Sequence, residues 1–235
     1  MVRHCLIVGA VLLLPVLGLA QTDPKPDRSE EALKRATSGT TDRSRAVDAL
    51  LPIADRFRKQ VQTINDEATD LAYETMLDAP HLATPALRAA TRDLLAAKLP
   101  VAEAAMDRVD AALTETREAL LALRGADPQS EQYRVTDGAI EAITATRARY
   151  AAYFAALATY LRKSTELIAF LSTPEAEPQL TSAGTLKLRS NAVISEFNRR
   201  ADRVEESQRA LQATVAAIAS AREIAGQRLE TLSPR

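Results

Sequence analysis

Apolar residues recur along most of this chain at alternating steps of three and four, the spacing that gathers side chains on one face of an α-helix. The first clear run is Val47, Leu50, Ala54, Phe57, Val61, Ile64, Ala68 and Leu71, with mainly polar residues between them. It predicts a long helix from Asp42 to Leu77, capped by Thr41 and stopped by Asp78-Ala79-Pro80. Pro52 falls inside it and predicts a kink or a separate short opening segment. Upstream, Ser29 to Ala36 reads as a minor helix stopped near Gly39.

A second helix opens with Thr84 as cap and Pro85 in its first position, where the missing N–H of proline is harmless. Its seam continues through Leu95, Leu99, Ala102, Met106, Val109, Leu113, Thr116, Leu120 and Leu123, and Arg124-Gly125 closes it. Asp127 and Pro128 repeat the opening signal. The third helix then carries Ile140, Ile143, Arg147, Tyr150, Phe154, Leu157, Leu161, Ser164, Ile168 and Leu171 before Thr173-Pro174 stops it. In the last helix, for which Ser190 is the cap, Phe197, Val204, Leu211, Ile218, Ala225 and Leu232 recur every seven residues. Between these two helices Gly184-Thr185-Leu186-Lys187-Leu188-Arg189 alternates apolar and polar residues, as a short extended stretch does.

Each stripe is narrow, so the helices must bury their faces against one another, and short connections make successive helices antiparallel. The expected fold is all-α: an elongated, antiparallel up-down-up-down four-helix bundle with long, coiled-coil-like helices. Composition agrees, because alanine, leucine, arginine and glutamate are abundant and glycine is scarce. A set of separate helical hairpins is the structural alternative.

The first twenty residues follow another pattern. Met1 to His4 is a short basic start, Cys5 to Ala20 is apolar, and Gly18-Leu19-Ala20 offers small residues for cleavage, the three-part layout of a secretory signal peptide. The apolar run is shorter than the roughly 20 residues a membrane span needs. The sequence thus divides into a signal peptide (1–20), a flexible leader with a short helix (21–40) and one helical-bundle domain (41–235), with a periplasmic destination. An uncleaved inner-membrane anchor is the other reading of residues 1–20. After cleavage no membrane insertion is expected.

The residues closing the third helix, Glu166-Leu167-Ile168-Ala169-Phe170-Leu171, the stretch Gly184-Thr185-Leu186-Lys187-Leu188 and the pair Phe197-Asn198 resemble those of a group of uncharacterised helical envelope proteins of bacteria. The resemblance spans about thirty residues. It implies an envelope location, and that group has no established activity to lend.

Charge and chemistry narrow the function. A net charge of −1, with acidic residues interleaved among the arginines, excludes the concentrated basic surface of a nucleic-acid binder. Signal cleavage removes Cys5, the only cysteine, and His4, so His81 is the one histidine left. No nucleophile triad, paired Glu-x-x-His motif or haem-attachment motif is present, which predicts no catalytic, cofactor-binding or metal residues, and no enzyme. His81 reads as a solvent-facing turn residue.

Four groups stand out, and three of them carry a sharper possibility beside a plain one. Asp66, Glu67, Asp70 and Glu74 could hold a divalent cation or form a solvated acidic face. Arg199, Arg200 and Arg203 precede Glu205 and Glu206 and read as local ion pairs. Arg147, Ser164, Arg200 and Ser207 fall on predicted seams, either to fix register or to line a polar cavity for a small anionic ligand. Tyr153 and Tyr160, seven residues apart, either widen the core or form a strip for a partner. Two function classes follow: a non-catalytic protein of protein–protein contact, self-association or envelope scaffolding, and a sensor-like bundle that binds a small molecule.

Overall fold

The structure is a computed structural model and describes residues 41–69 and 76–231. Residues 1–40, where the sequence leads one to expect a signal peptide and a leader with a minor helix, and Asp70, Leu71 and Glu74 lie outside the described residues. The fold is mostly helical, with five helices among the described residues: α1 (Thr41–Thr69), α2 (Ala79–Ala83), α3 (Pro85–Leu123), α4 (Glu131–Leu171) and α5 (Asn191–Thr231). Between α4 and α5 lie the strands β1 (Gln179–Leu180) and β2 (Leu186–Lys187).

Local chemistry explains the boundaries, and several differ from the sequence reading. Thr41 already lies within α1, and α1 passes through the exposed Pro52 with no separate opening segment. Met76 and Leu77 form a turn, so the helix does not reach Leu77. Asp78 does more than stop a helix. Its carboxylate accepts a 2.8 Å hydrogen bond from the His81 backbone N–H and caps the one-turn helix α2. Thr84 ends α2 in an extended conformation, and Pro85 starts α3 as its placement predicts. The exposed Pro100 also sits inside α3, where the carbonyl left without a partner can meet water.

The start of α4 is shifted too. Asp127 and Pro128 form a turn in which the Asp127 carboxylate accepts from the Gln129 N–H at 2.9 Å. The cap is Ser130, whose hydroxyl accepts from the Tyr133 N–H at 3.1 Å. Ser190 caps α5 as expected, accepting from Val193 N–H at 3.3 Å. Gly125 takes φ +72° just beyond α3, a left-handed conformation that favours glycine.

By their contacts the described residues gather into two compact units. The first comprises residues 67–69, 76–103 and Phe154–Gln212. Its core holds Leu82, Leu95, Ala102, Phe154, Leu157, Leu161, Ile168, Leu171, Phe197, Val204 and Leu211. Here Arg162 of α4 meets Glu103 of α3 at 2.6 Å, and Arg200 of α5 bonds the Glu166 carbonyl of α4 at 3.3 Å. The strands pair antiparallel, Gln179 with Lys187 and Leu180 with Leu186, and both rest on α2.

The second unit comprises residues 41–66, Ala104–Tyr153 and 213–231. Its buried residues include Val61, Ile64, Ala105, Val109, Leu113, Leu120, Tyr153 and Ile218. Arg124 meets Asp137 and Arg147 meets Asp110, so α3 and α4 run antiparallel here. On α1, Gln60 donates to Glu115 at 2.9 Å and the Phe57 ring meets Tyr150 edge-on at 6.4 Å.

Candidate functional site

The polar residues singled out from the sequence are not gathered in one place. Arg147 is exposed, and its guanidinium makes two bonds to Asp110, of 2.8 and 2.7 Å, in the second unit. The correction has a simple cause: the inward line of α4 steps from Ile143 to the half-buried Thr146 and then to Tyr150, which leaves Arg147 one position outside. Arg200 is half-buried in the first unit. Its guanidinium lies 5.0 Å over the Phe170 ring and bonds Glu196 at 2.7 Å. Arg199 also binds Glu196, and these two guanidiniums, Arg199 foremost, hold that carboxylate down to about 2. Arg147 and Arg200 are therefore each engaged by protein carboxylates.

Ser164 and Ser207 are buried as their seam positions predict. Ser207 donates to the Val204 carbonyl at 2.7 Å. Ser164 stands beside the Tyr160 phenol without completing a hydrogen bond.

Tyr153 and Tyr160 do not form an exposed strip. Both are buried, because the inward face of α4 is two residues wide at Tyr153-Phe154, Leu157-Ala158 and Tyr160-Leu161. Burial raises the Tyr160 phenol to about 12 and pushes Tyr153 higher still, with the nearby Asp66 charge adding to the effect on Tyr153. The Tyr153 hydroxyl donates to the Asn65 side-chain oxygen at 2.7 Å.

Of the acidic group, Asp66 is half-buried and Glu67 exposed, and the Glu67 carbonyl accepts from Lys98 at 2.8 Å. Among the described residues no group of three or more His, Cys, Asp or Glu side chains is placed to hold a metal ion. His81 is half-buried, not wholly solvent-facing, and its Nδ1 lies 2.8 Å from the Asp78 carboxylate. A shallow, open depression of about 460 Å³ on α1 is lined by Pro52, Asp55, Arg56, Lys59, Gln60 and Thr63. All six belong to one helix, so it offers no enclosing walls.

The most constructed feature lies in the first unit, where α2, the start of α3 and the hairpin meet. Arg88, nearly fully buried, donates from Nη1 to the Leu82 and Ala83 carbonyls at 2.7 and 3.1 Å and from Nη2 to Glu177 at 3.4 Å, while Nε has no partner. One guanidinium thereby satisfies the C-terminal carbonyls of α2 and reaches the strand approach of the hairpin. The hairpin turn is built with equal care: Thr181 N–H donates to the Thr185 carbonyl at 2.9 Å, Gly184 N–H donates to Thr181 at 3.0 Å, and Gly184 takes φ +74°. This is a three-residue hairpin loop with glycine in the left-handed position.

Arg88 and its neighbour Thr91, both buried, are not among the residues that the sequence pattern marks. Continuing the seam of α3 backward from Leu95 by four and then three residues lands on Thr91 and Arg88, and that was the available signal. The hairpin also displays exposed apolar surface. Leu180, Leu87 near the start of α3 and Ile194 near the start of α5 are the exposed large apolar residues of the described chain, and all three belong to the first unit.

The chain matches no protein-family model, no curated protein and no solved structure. Among the described residues no helix is long and apolar enough to cross a membrane.

Proposed function

We propose that this chain is a non-catalytic helical-bundle protein of the bacterial periplasm that works through protein–protein contact, as a scaffold or assembly component of the envelope. In this reading the four long helices form an up-down-up-down bundle, and residues 1–20 are the export signal. The observation that carries the contact reading is the hairpin: a short β element resting on α2, whose C-terminal carbonyls the buried Arg88 satisfies, with Leu180 left in solvent. A rigid element that exposes apolar surface suits docking, since little ordering entropy is lost when a partner binds.

The polar groups of the seams fit this reading better than a ligand cavity. Arg147 is taken up by Asp110, Arg200 by Glu196, and Tyr153 by Asn65. The test is light scattering on the purified protein combined with chemical crosslinking in intact envelopes. A defined dimer or a reproducible heteromeric product is expected. A monomer without crosslinked products, and with a melting temperature raised by a small anion, would replace contact by ligand binding.

A further inference from the structure

The two edges of the hairpin are not equivalent. In an antiparallel pair the residues alternate between those that bond across the ladder and those whose N–H and C=O point outward. The Thr181–Thr185 bond that closes the turn, with the observed register, makes Gln179 and Lys187 the next inward-bonding pair. The outward groups within the pair are therefore those of Leu180 on β1 and of Leu186 on β2, and the same alternation continued by one step assigns residue 178, just before β1, and Leu188, just after β2, to the outer edges. Residue 178 is a proline with no N–H to offer, the usual means of closing a strand edge.

The β2 edge has no such block. Among the described residues no group bonds the outward N–H and C=O of Leu186 and Leu188. Along this stretch the half-buried Leu186 and Leu188 alternate with the exposed Lys187 and Arg189. Neither cation has a carboxylate partner among the described residues, although Arg88, Arg92, Arg199 and Arg200 in the same unit each have one. Two neighbouring positive charges discourage a second copy of the same edge from pairing with it. They favour a strand that brings negative charge.

We infer that the outer edge of β2 is a docking strip for an extended, acidic segment of a protein partner, which adds as a third strand with carboxylates opposite Lys187 and Arg189. Main-chain hydrogen bonds to Leu186 and Leu188 supply the affinity, and the two cations supply the choice of partner. This rests on the contact reading above and specifies its surface and the chemistry of its partner.

The test uses the purified protein and a labelled nonapeptide that alternates glutamate and valine, read by fluorescence anisotropy, with a lysine–valine peptide as the opposite-charge probe. Saturable binding of the acidic peptide is expected. K187E/R189E should weaken it by about tenfold or more and confer binding of the lysine peptide, an exchange that edge protection alone would not produce. Leu188→Pro, which removes one outward N–H, should weaken both pairings, and a melting curve on each variant separates lost docking from lost folding. If Leu188→Pro unfolds the protein, the charge exchange decides alone.

The inference is overturned if the acidic peptide does not bind, if binding ignores the charge reversal, or if the protein instead binds phosphatidylglycerol vesicles through Lys187 and Arg189. Peptide failure alongside a defined crosslinked partner would remove this strip and leave the contact reading intact.

Discussion

Tyr153 and Asn65 meet inside the second unit, the phenol donating a 2.7 Å hydrogen bond to the amide oxygen across 88 residues of sequence. The bond joins α4 to α1, where Val61 and Ile64 are also buried. A buried polar pair of this kind contributes little net energy while both partners are present, yet losing one partner leaves the other desolvated. Tyr153→Phe should destabilise the protein by about 1–2 kcal/mol in urea unfolding, and Asn65→Leu by a similar amount. The double variant should lose less than the two together, the coupling expected of residues in direct contact.

Arg88 should be far more sensitive than its ion pair suggests. Arg88→Met removes the donors to the Leu82 and Ala83 carbonyls and should destabilise by about 2 kcal/mol or more, because bonds from a charged group to buried carbonyls are strong. Glu177→Gln removes only a 3.4 Å contact to a carboxylate that is 45% exposed, and should change stability by less than about 1 kcal/mol. Hydrogen exchange at residues 179–187 checks the structural part: Arg88→Met should release the hairpin amides and Glu177→Gln should leave them protected.

The buried tyrosines set the alkaline limit of stability. Burial raises the Tyr160 phenol to about 12 and the Tyr153 phenol further, whereas an unfolded tyrosine ionises near 10. Groups with raised folded values contribute stability that is whole below about pH 10 and is lost as the pH climbs through their folded values. Unfolding free energy measured from pH 8 to 11.5 should fall above pH 10, and the fall should shrink in the double variant Tyr153→Phe/Tyr160→Phe.

Glu196 acts at the opposite limit. Its carboxylate, held down to about 2 by Arg199 and Arg200, contributes stability that is present above its ordinary value and fades as the pH drops towards 2. Glu196→Gln should therefore lower stability at pH 7 and have little effect near pH 2, flattening the profile between about pH 5 and pH 2 by the same small amount, since solvent screens this half-buried cluster.

Much of the fold was readable because helix seams are a property of spacing alone. The seven-residue series Phe197, Val204, Leu211 and Ile218 is buried as predicted, and so are Leu95, Val109, Phe154, Leu161 and Ile168. What failed was phase and local capping. Three-and-four spacing cannot tell whether Thr146 or Arg147 continues the line from Ile143, since either step is helical. Asp127 carries a cap signal, yet Ser130 three residues on carries another, and the turn through Pro128 leaves the later one in use.

The candidate site was less legible than the helices. The alternation after Gly184 revealed an extended stretch, but the pairing that makes it a hairpin depends on Gln179 and Leu180, whose segment shows no strand pattern of its own. Arg88 was hidden by its type. A seam filled with an arginine reads as a surface position until the carbonyls of Leu82 and Ala83, brought round by the one-turn helix α2, give its guanidinium partners.

The most direct test of contact through the hairpin places a photo-activated crosslinking residue at position 180 and, in a separate variant, at position 147, both expressed in intact cells. Leu180 is exposed on the hairpin, whereas Arg147 is also exposed, on α4, and is already paired with Asp110. If the hairpin is the contact surface, position 180 gives one discrete crosslinked protein product and position 147 gives none of that size. The same product from both positions, or none from position 180 in protein that remains folded, would contradict it.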